Sequence, residues 1–537
     1  MDGSNGRSPL GRERVVISCI IPRSLCMATP APSYQPKPIV GPISGFTNFN
    51  EAQHYVYAQW LERIAGVFAL YGFTPLIPRP VELRDNLHVK GGMAKQIYSI
   101  ARTNEDGSLA DDGRPAVIGT DIGLPFDRTV PLALWVAQYA NEMTLPYKRY
   151  DIGWVFRGET AQAGRFRGFH QADVDIIGRQ LGVTADVECM MAIAQALVAL
   201  NIGEITMHIN HIAIAKGLLR KAGVTTEQEP HVLRIIDKLE KVGAAVLKPE
   251  ILAAAPQLTA EIVDQLMAVY TFRGDCVGFK NILEQAAEGD AEILAGYKHL
   301  CALEAMFNMV NDPLFHPGGA SFDELRRSGG EFNVEGLKTA HGEPVEPRSV
   351  RSGKAVFVKL VVNPGLVRGL DYYTGVVVES FLTGFEKFGS IASGGRYSNL
   401  VASFSDKHPD IEGVGFSIGV TRLFDVLCRA NAIKLERKTT ADVLIAYRSE
   451  ALQQAFAAAT FLRGHGVNVD MYANPARPMK HQLEYASKKG MPLVLMLMST
   501  EGQATVDAYV LKNLANREQV EWKNQAACFG ELLAKLG

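Results

Sequence analysis

The chain has 537 residues, 47% of them hydrophobic and 21% charged, with 55 basic residues against 57 acidic ones for a net charge of −2. At roughly 150 residues per domain the length predicts three or four domains, and the composition excludes collagen, coiled coil and disorder for the bulk of the chain. The even balance excludes a uniformly basic nucleic-acid coat but not local basic patches, which are what RNA binding requires. No stretch reaches 18 consecutive apolar residues, so no transmembrane helix is expected. The cysteines number seven, an odd count without a C-x-x-C pair. That pattern predicts no disulfide framework, a reducing compartment and a cytoplasmic location.

Residues 1–40 are rich in Pro, Ser and Gly around one short apolar run, Val15 to Ile21. Pro22 and Arg23 make that run short for a signal peptide, and the segment reads as a disordered extension, with Met27 as an alternative start. From Asn50, a helix cap, the residues Trp60, Leu61, Ile64, Val67, Phe68 and Tyr71 repeat at helical spacing. Gly72 ends the helix, and Pro75, Pro78 and Pro80 suit an edge strand. Short strands and helices alternate to about residue 204, and 212–310 reads as an inserted helical segment. Residues 328–355 are rich in Gly, Pro and charge and read as a solvated insert without chemistry. After the charged run at 434–440, strand and helix patterns alternate, as in an α/β domain of roughly 100 residues.

Tyr150 to Arg157 alternates like a strand, Gly158 to Gly164 is a polar loop, and Arg165 to Asp175 alternates again. The whole predicts a long β-hairpin with Arg157, Arg165 and Arg167 near one rim. Fixed guanidinium forks suit a polyphosphate. On the return strand Gln171, Asp173 and Asp175 share a face under period two. Two carboxylates there, near arginines, suit a cationic or donor-rich small ligand; a solvated face with cross-strand ion pairs is the alternative. Arg368, Asp371, Tyr372 and Tyr373 precede a buried strand at Val376 to Val378. Ser393-Gly-Gly-Arg-Tyr-Ser reads as a glycine turn presenting Arg396 and Tyr397. Gly413-Val-Gly-Phe-Ser-Ile-Gly reads as a strand running into a helix with Arg422 in its first turn. His208 and His211 form an H-x-x-H without a third ligand nearby and read as strand-edge residues.

Together these segments resemble the histidyl-tRNA synthetases, a class II family of aminoacyl-tRNA synthetases. Phe156 to Gln171 is similar to class II motif two, and Val414 to Leu423 to motif three. Arg368-Gly-Leu-Asp-Tyr-Tyr373 and Gly394-Gly-Arg-Tyr397 are similar to two motifs peculiar to the histidine enzymes. The resemblance implies an α+β fold: a class II antiparallel-sheet catalytic domain over 41–435, helical insertion at 212–310, and an anticodon-binding α/β domain at 438–537. It implies ATP-dependent ligation of L-histidine to tRNA(His) through a histidyl-adenylate, with ATP as substrate, Mg²⁺ on the polyphosphate, and a homodimer. It further implies that Arg157 and Arg368 converge on the α-phosphate, and that Glu159, Arg165 and Arg422 bind ATP. Asp127, Thr129, Gln171, Asp175, Tyr372, Tyr373 and Tyr397 would line the histidine pocket, and Gln162 would approach the tRNA. Thr421 departs from the glutamate many members carry. The rival reading is a histidine-sensing regulatory paralogue, which would lack the C-terminal domain and the arginines; a ligase for another amino acid is a further alternative.

Overall fold

The computed structural model describes residues 41–88, 96–100, 122–160, 164–287, 289–310, 358–367, 373–500, 502–503 and 505–536. Arg368, Tyr372, Gln162 and the stretches 1–40 and 328–355 therefore lie outside the described residues. No helix among the described residues is long and apolar enough to cross a membrane.

The first helix, Glu51–Leu70, begins where the sequence predicts. Asn50 accepts from the Gln53 amide and Gln53 reciprocates, a capping box that satisfies two otherwise orphaned donors. Its inner face, with Trp60, Ile64 and Phe68, is sealed into the main core. Eight strands then form one sheet: β1 (Thr74–Pro75), β5 (Tyr147–Phe156), β6 (Gly168–Gly178), β7 (Ile205–His211), β8 (Val358–Val362), β9 (Val376–Leu382), β10 (Ala392–Tyr397) and β11 (Glu412–Gly419). Their order is β1-β5-β6-β11-β10-β9-β7-β8. The pairings β1–β5 and β7–β8 are parallel and the remainder antiparallel. Three two-residue strands, β2 (Glu82–Leu83), β3 (Ser99–Ile100) and β4 (Ile122–Gly123), make a small separate sheet.

Period two decides what each face of the large sheet does. Ala172, Val174 and Ile176 of β6 enter the core shared with the first helix and with the helix Val183–Ala199. Gln171, Asp173 and Asp175 therefore face the opposite side. Residues 212–310 are helical, as expected, ending in the long helix Ala291–Val310.

Past residue 440 a second sheet of order β13-β12-β14-β15-β16 has its own apolar cores. Its strands are β12 (Val443–Ala446), β13 (Val469–Met471), β14 (Leu493–Ser499), β15 (Val506–Asn513) and β16 (Gln519–Trp522). The first three are parallel, with helices between them, as the α/β pattern predicts. The sheet then gains two antiparallel strands and a final helix, Gln525–Leu536, that the pattern did not reveal. The basic run around the helix Met479–Lys489 divides. Lys489 bonds to Glu51 and Arg463 donates to the Val469 carbonyl, while Arg477, Lys480 and Lys488 remain exposed.

Two readings are corrected. The Gly394-Gly395 segment is a strand, not a turn. A Cβ at Gly394 would strike Phe416 and the Gly415 carbonyl, and one at Gly395 the Val376 carbonyl and Tyr373. Glycine is needed there for close strand packing, not for a bend. His208 and His211 sit on β7, which is paired on both sides and is not a sheet edge. His208 bonds to Asn363 and packs on Phe381, and His211 caps the helix Ile212–Lys221 through the Ala213 amide. Among the described residues no group of three or more His, Cys, Asp or Glu is arranged to hold a metal.

Candidate active site

A cleft of about 290 Å³ opens on the polar face of the large sheet. The β5–β6 hairpin supplies Arg157, Glu159, Arg165, Phe169 and Gln171; β9 supplies Glu379, β10 Ser393, and β11 Ser417 and Gly419; Arg422 follows in the first turn of the helix Val420–Arg429. A larger hollow of about 430 Å³ lies among the insertion helices, but its lining of Leu218, Ile262, Leu266 and Val269 brings no cluster of arginines or carboxylates. Convergent charge, rather than volume, marks the smaller cleft as the site.

Each arginine of the cleft is held differently. The Arg157 Nε donates to the Phe126 carbonyl at 3.0 Å, and its guanidinium lies 5.2 Å from the Phe169 ring centroid. Arg422 donates to the Phe388 carbonyl. Arg165 is more than half exposed and stands 3.7 Å from Glu159. Arg167, expected on the same rim, instead donates to the Glu159 carbonyl and packs beside Gly45. A rim with two anchored guanidiniums and one exposed guanidinium suits a chain of phosphates.

Below the cleft the sheet carries a buried charge lattice. Arg149 of β5 is fully buried and reaches Asp175 of β6 at 2.8 Å and Asp151 at 3.5 Å. Arg128 grips Asp151 at 2.5 Å. Strand register places Arg149 opposite Asp175 and Asp151 opposite Asp173. Burial alone would lower the Arg149 pKa, but Asp175, Asp173 and Asp151 together hold it above its ordinary value. Asp173 is pushed up to about 7, chiefly by burial, against the restraining charge of Arg149. Tyr397 donates to Asp175 at 2.7 Å, and a Cβ at Gly415 would collide with that carboxylate. Gln171 donates to Ser417 at 2.9 Å, while its Oε1 is buried without a hydrogen bond among the described residues. Burial, and then the charges of Asp127, Asp175, Asp173 and Glu379, push the pKa of the Tyr373 hydroxyl up. Asp127 accepts from the Val130 amide at 3.0 Å, and Thr129 opens the helix Thr129–Tyr139.

The opposite face locks the site from behind. The Thr421 hydroxyl accepts from the His170 amide at 2.9 Å and bonds to the Tyr57 hydroxyl at 2.8 Å, and Tyr57 also reaches His170 Nδ1 at 3.0 Å. Burial, then Arg128, lowers the His170 pKa to about 4, so the ring is neutral. Arg396 does not enter the cleft. It ties Asp186 at 2.7 Å and Glu412 at 3.3 Å, a structural pairing in place of the expected presentation to a ligand.

The structure thus brings Arg157, Glu159, Arg165, Gln171 and Arg422 into one cleft, with Asp175 and Tyr397 bonded to each other beneath it. Sequence reasoning missed Glu379, Ser417, Arg128, Arg149 and Asp151. The available signal was charge at alternate positions of two paired strands, Arg149 and Asp151 against Asp173 and Asp175.

The profile described as Histidyl-tRNA synthetase matches residues 45–316 and 348–423. The chain belongs to the histidyl-tRNA synthetase family. A histidine–tRNA ligase of Thermobifida fusca is 32% identical over 482 residues, covering 89% of this chain and 96% of the relative. One from Bifidobacterium animalis is 33% identical over 460 residues, covering 84% and 88%. The crystal structure of the histidyl-tRNA synthetase from Nostoc sp. PCC 7120 superposes with a TM-score of 0.73 at 27% identity, covering 93% of this chain and all of that one. A Bacillus halodurans structure titled as an ATP phosphoribosyltransferase regulatory subunit/histidyl-tRNA synthetase shares the fold, with a TM-score of 0.61 at 16% identity and coverage of 86% of this chain. Synthetase family membership and the α+β architecture agree with the motifs around Arg157 and Arg422.

Proposed function

We infer that this chain ligates L-histidine to tRNA(His), with ATP as the energy source. The observation that carries the reading is the cleft itself, where arginine forks on the rim stand over buried carboxylates. An amino acid is a zwitterion, and this gradient orients one: carboxylate toward Arg157, cationic end toward Asp127, Gln171 and Asp175. In the first step the histidine carboxylate attacks the ATP α-phosphorus and pyrophosphate leaves. In the second a ribose hydroxyl of the tRNA attacks the acyl carbon and AMP leaves. Neither step needs a covalent group on the protein; both need positioning and charge stabilisation where negative charge develops. Arg157 supplies that charge at the α-phosphate, with Arg368 assigned to the same oxygen cluster by its motif. Arg165, Arg422 and Glu159 serve the outer phosphates and adenine, while Thr129, Tyr372, Tyr373 and Tyr397 complete the histidine pocket. The Gln162 loop serves the tRNA acceptor end.

Magnesium, bound to the polyphosphate, would neutralise its charge. The cleft offers hard oxygen donors for it in the Glu379 carboxylate and the Ser393 hydroxyl, opposite each other in register. One carboxylate with substrate phosphates is a usual magnesium environment.

The exposed Arg477, Lys480 and Lys488 suit backbone phosphates of the tRNA, and residues 438–537 are assigned as the anticodon-binding domain. A cytoplasmic homodimer completes the reading. Leu70 and Ile77, 86% and 84% exposed beside the edge strand β1, are apolar surface of the kind a second copy covers. The regulatory alternative is disfavoured by the intact arginine rim and the C-terminal sheet.

The assay is histidine-dependent exchange of pyrophosphate into ATP. Arg157→Ala should lower its rate about 10²- to 10³-fold, the loss typical for one transition-state donor. Asp175→Ala should raise the KM for histidine far more than that for ATP. Equal effects on both substrates would contradict the assignment.

A further inference from the structure

Both ends of the helical insertion lead to Arg396 on β10. At its start, the Ile212 amide donates to the Gly375 carbonyl at 3.0 Å, and the neighbouring Thr374 amide donates to the Arg396 carbonyl at 2.8 Å. Near its end, His299 on the helix Ala291–Val310 donates through Nε2 to Asp186 at 3.0 Å. Asp186 lies in the first turn of the helix Val183–Ala199, where the helix dipole favours a carboxylate, and it is fully buried. Arg396 grips both of its oxygens, from Nη2 at 2.7 Å and from Nε at 3.2 Å. The same guanidinium donates to the Leu181 and Gly182 carbonyls at 2.9 and 3.0 Å, and a Cβ at Gly375 would strike its stem.

The helix Ala291–Val310 is shaped for this contact. Gly296 and His299 are three apart and share a face. A Cβ at Gly296 would stand 2.8 Å from His211 Nδ1, so the glycine admits the residue that closes β7, and the His211 and His299 rings lie 5.3 Å apart.

Arg396 is the link to the pocket because of where β10 ends. On the β9 side the ladder stops at the pair Gly395 and Val377; on the β11 side it continues through Arg396 and Tyr397. Period two sends Arg396 to the core side with Ala392, and Tyr397 to the polar side with Ser393. From behind, the guanidinium thus pins the strand end from which the Tyr397 hydroxyl donates to Asp175 at 2.7 Å.

We propose that His299 is a positioning residue for the amino-acid pocket: through Asp186 and Arg396 it ties the helical insertion to the end of β10 and so fixes Tyr397 against Asp175. The insertion thereby helps to set histidine affinity, although none of its described residues lines the cleft. This inference rests on the histidine-binding reading above.

The test is histidine-dependent exchange of pyrophosphate into ATP by the full-length protein, which reads the first step alone. His299→Ala should raise the histidine KM about 2- to 30-fold, the range for residues that act along a coupling network, with the ATP KM unchanged. His299→Gln, which keeps a side-chain donor, should restore the histidine KM. In a Tyr397→Phe background the effect of His299→Ala should disappear, because the hydroxyl it positions is gone. Tyr297→Phe, on the same helix, removes a bond to the Cys276 carbonyl inside the insertion and serves as the control. It should lower the Tm without moving either KM. An unchanged histidine KM in His299→Ala, a rise that persists in full beside Tyr397→Phe, or an equal rise in Tyr297→Phe overturns the proposal. His299→Leu gives the same reading should the alanine variant not fold. Wild-type protein without histidine-dependent exchange would instead overturn the functional reading, and the proposal with it.

Discussion

In the proposed reading Asp175 sets the histidine pocket, and its position depends on the lack of a side chain opposite it. Gly415 lies opposite it in register, and any side chain there would occupy the space of the carboxylate. The pocket acid is thus encoded partly by a glycine on the neighbouring strand. Gly415→Ala should displace Asp175 while leaving the phosphate rim intact. Misplacing a positioning group by about 1 Å costs about 10²-fold, so the histidine KM should rise by a comparable factor with the ATP KM nearly unchanged. Steady-state exchange kinetics check this; an unaltered histidine KM would show that Asp175 does not set the pocket. The Asp175–Tyr397 contact was only half visible beforehand. Both residues belong to motifs, but that Tyr397 of β10 reaches across β11 to the acid on β6 follows from strand order, which no local pattern encodes.

At the scale of elements, the hairpin was legible because alternation is a physical signal. A strand with one face in the core must place apolar residues at every second position, and Ala172, Val174 and Ile176 do so. The first helix was legible for the same reason, with Asn50 and Gln53 marking its start. The Gly394-Gly395 strand was not, because glycine reports permissive backbone and tight packing with the same letter. Nor did local sequence show what Thr421 does. Its hydroxyl joins the first helix through Tyr57, β6 through the His170 amide and the helix that carries Arg422. Thr421→Val keeps the shape and removes the bonds. Leaving the buried Tyr57 hydroxyl and His170 amide one partner short costs about 1–3 kcal/mol. Thermal unfolding should show a lower Tm, and kinetics a raised KM for ATP through a loosened Arg422. An unchanged Tm would mean that water or His170 replaces the hydroxyl without cost.

At the scale of the molecule, the near-zero net charge proved uninformative about an RNA substrate, because positive charge is placed rather than accumulated. Residues 144–170 carry five basic residues against two acidic ones, and these include Arg157 and Arg165 of the cleft. Other arginines, such as Arg128, Arg149 and Arg396, are spent on internal ion pairs. Counting charges in sequence cannot separate these two uses; only burial does. The apolar edge at Leu70 and Ile77 predicts a dimer, and native mass spectrometry should find twice the 58.6 kDa chain mass; a monomer at micromolar concentration would contradict it. The central claim is that the cleft activates histidine and no other amino acid. Exchange of pyrophosphate into ATP, measured on the wild-type protein with each of the twenty amino acids in turn, tests it most directly. A site that hydrogen-bonds its substrate discriminates by about 10⁴–10⁵. The account predicts exchange with histidine alone above background, and exchange absent with histidine, or equal with a second amino acid, would contradict it.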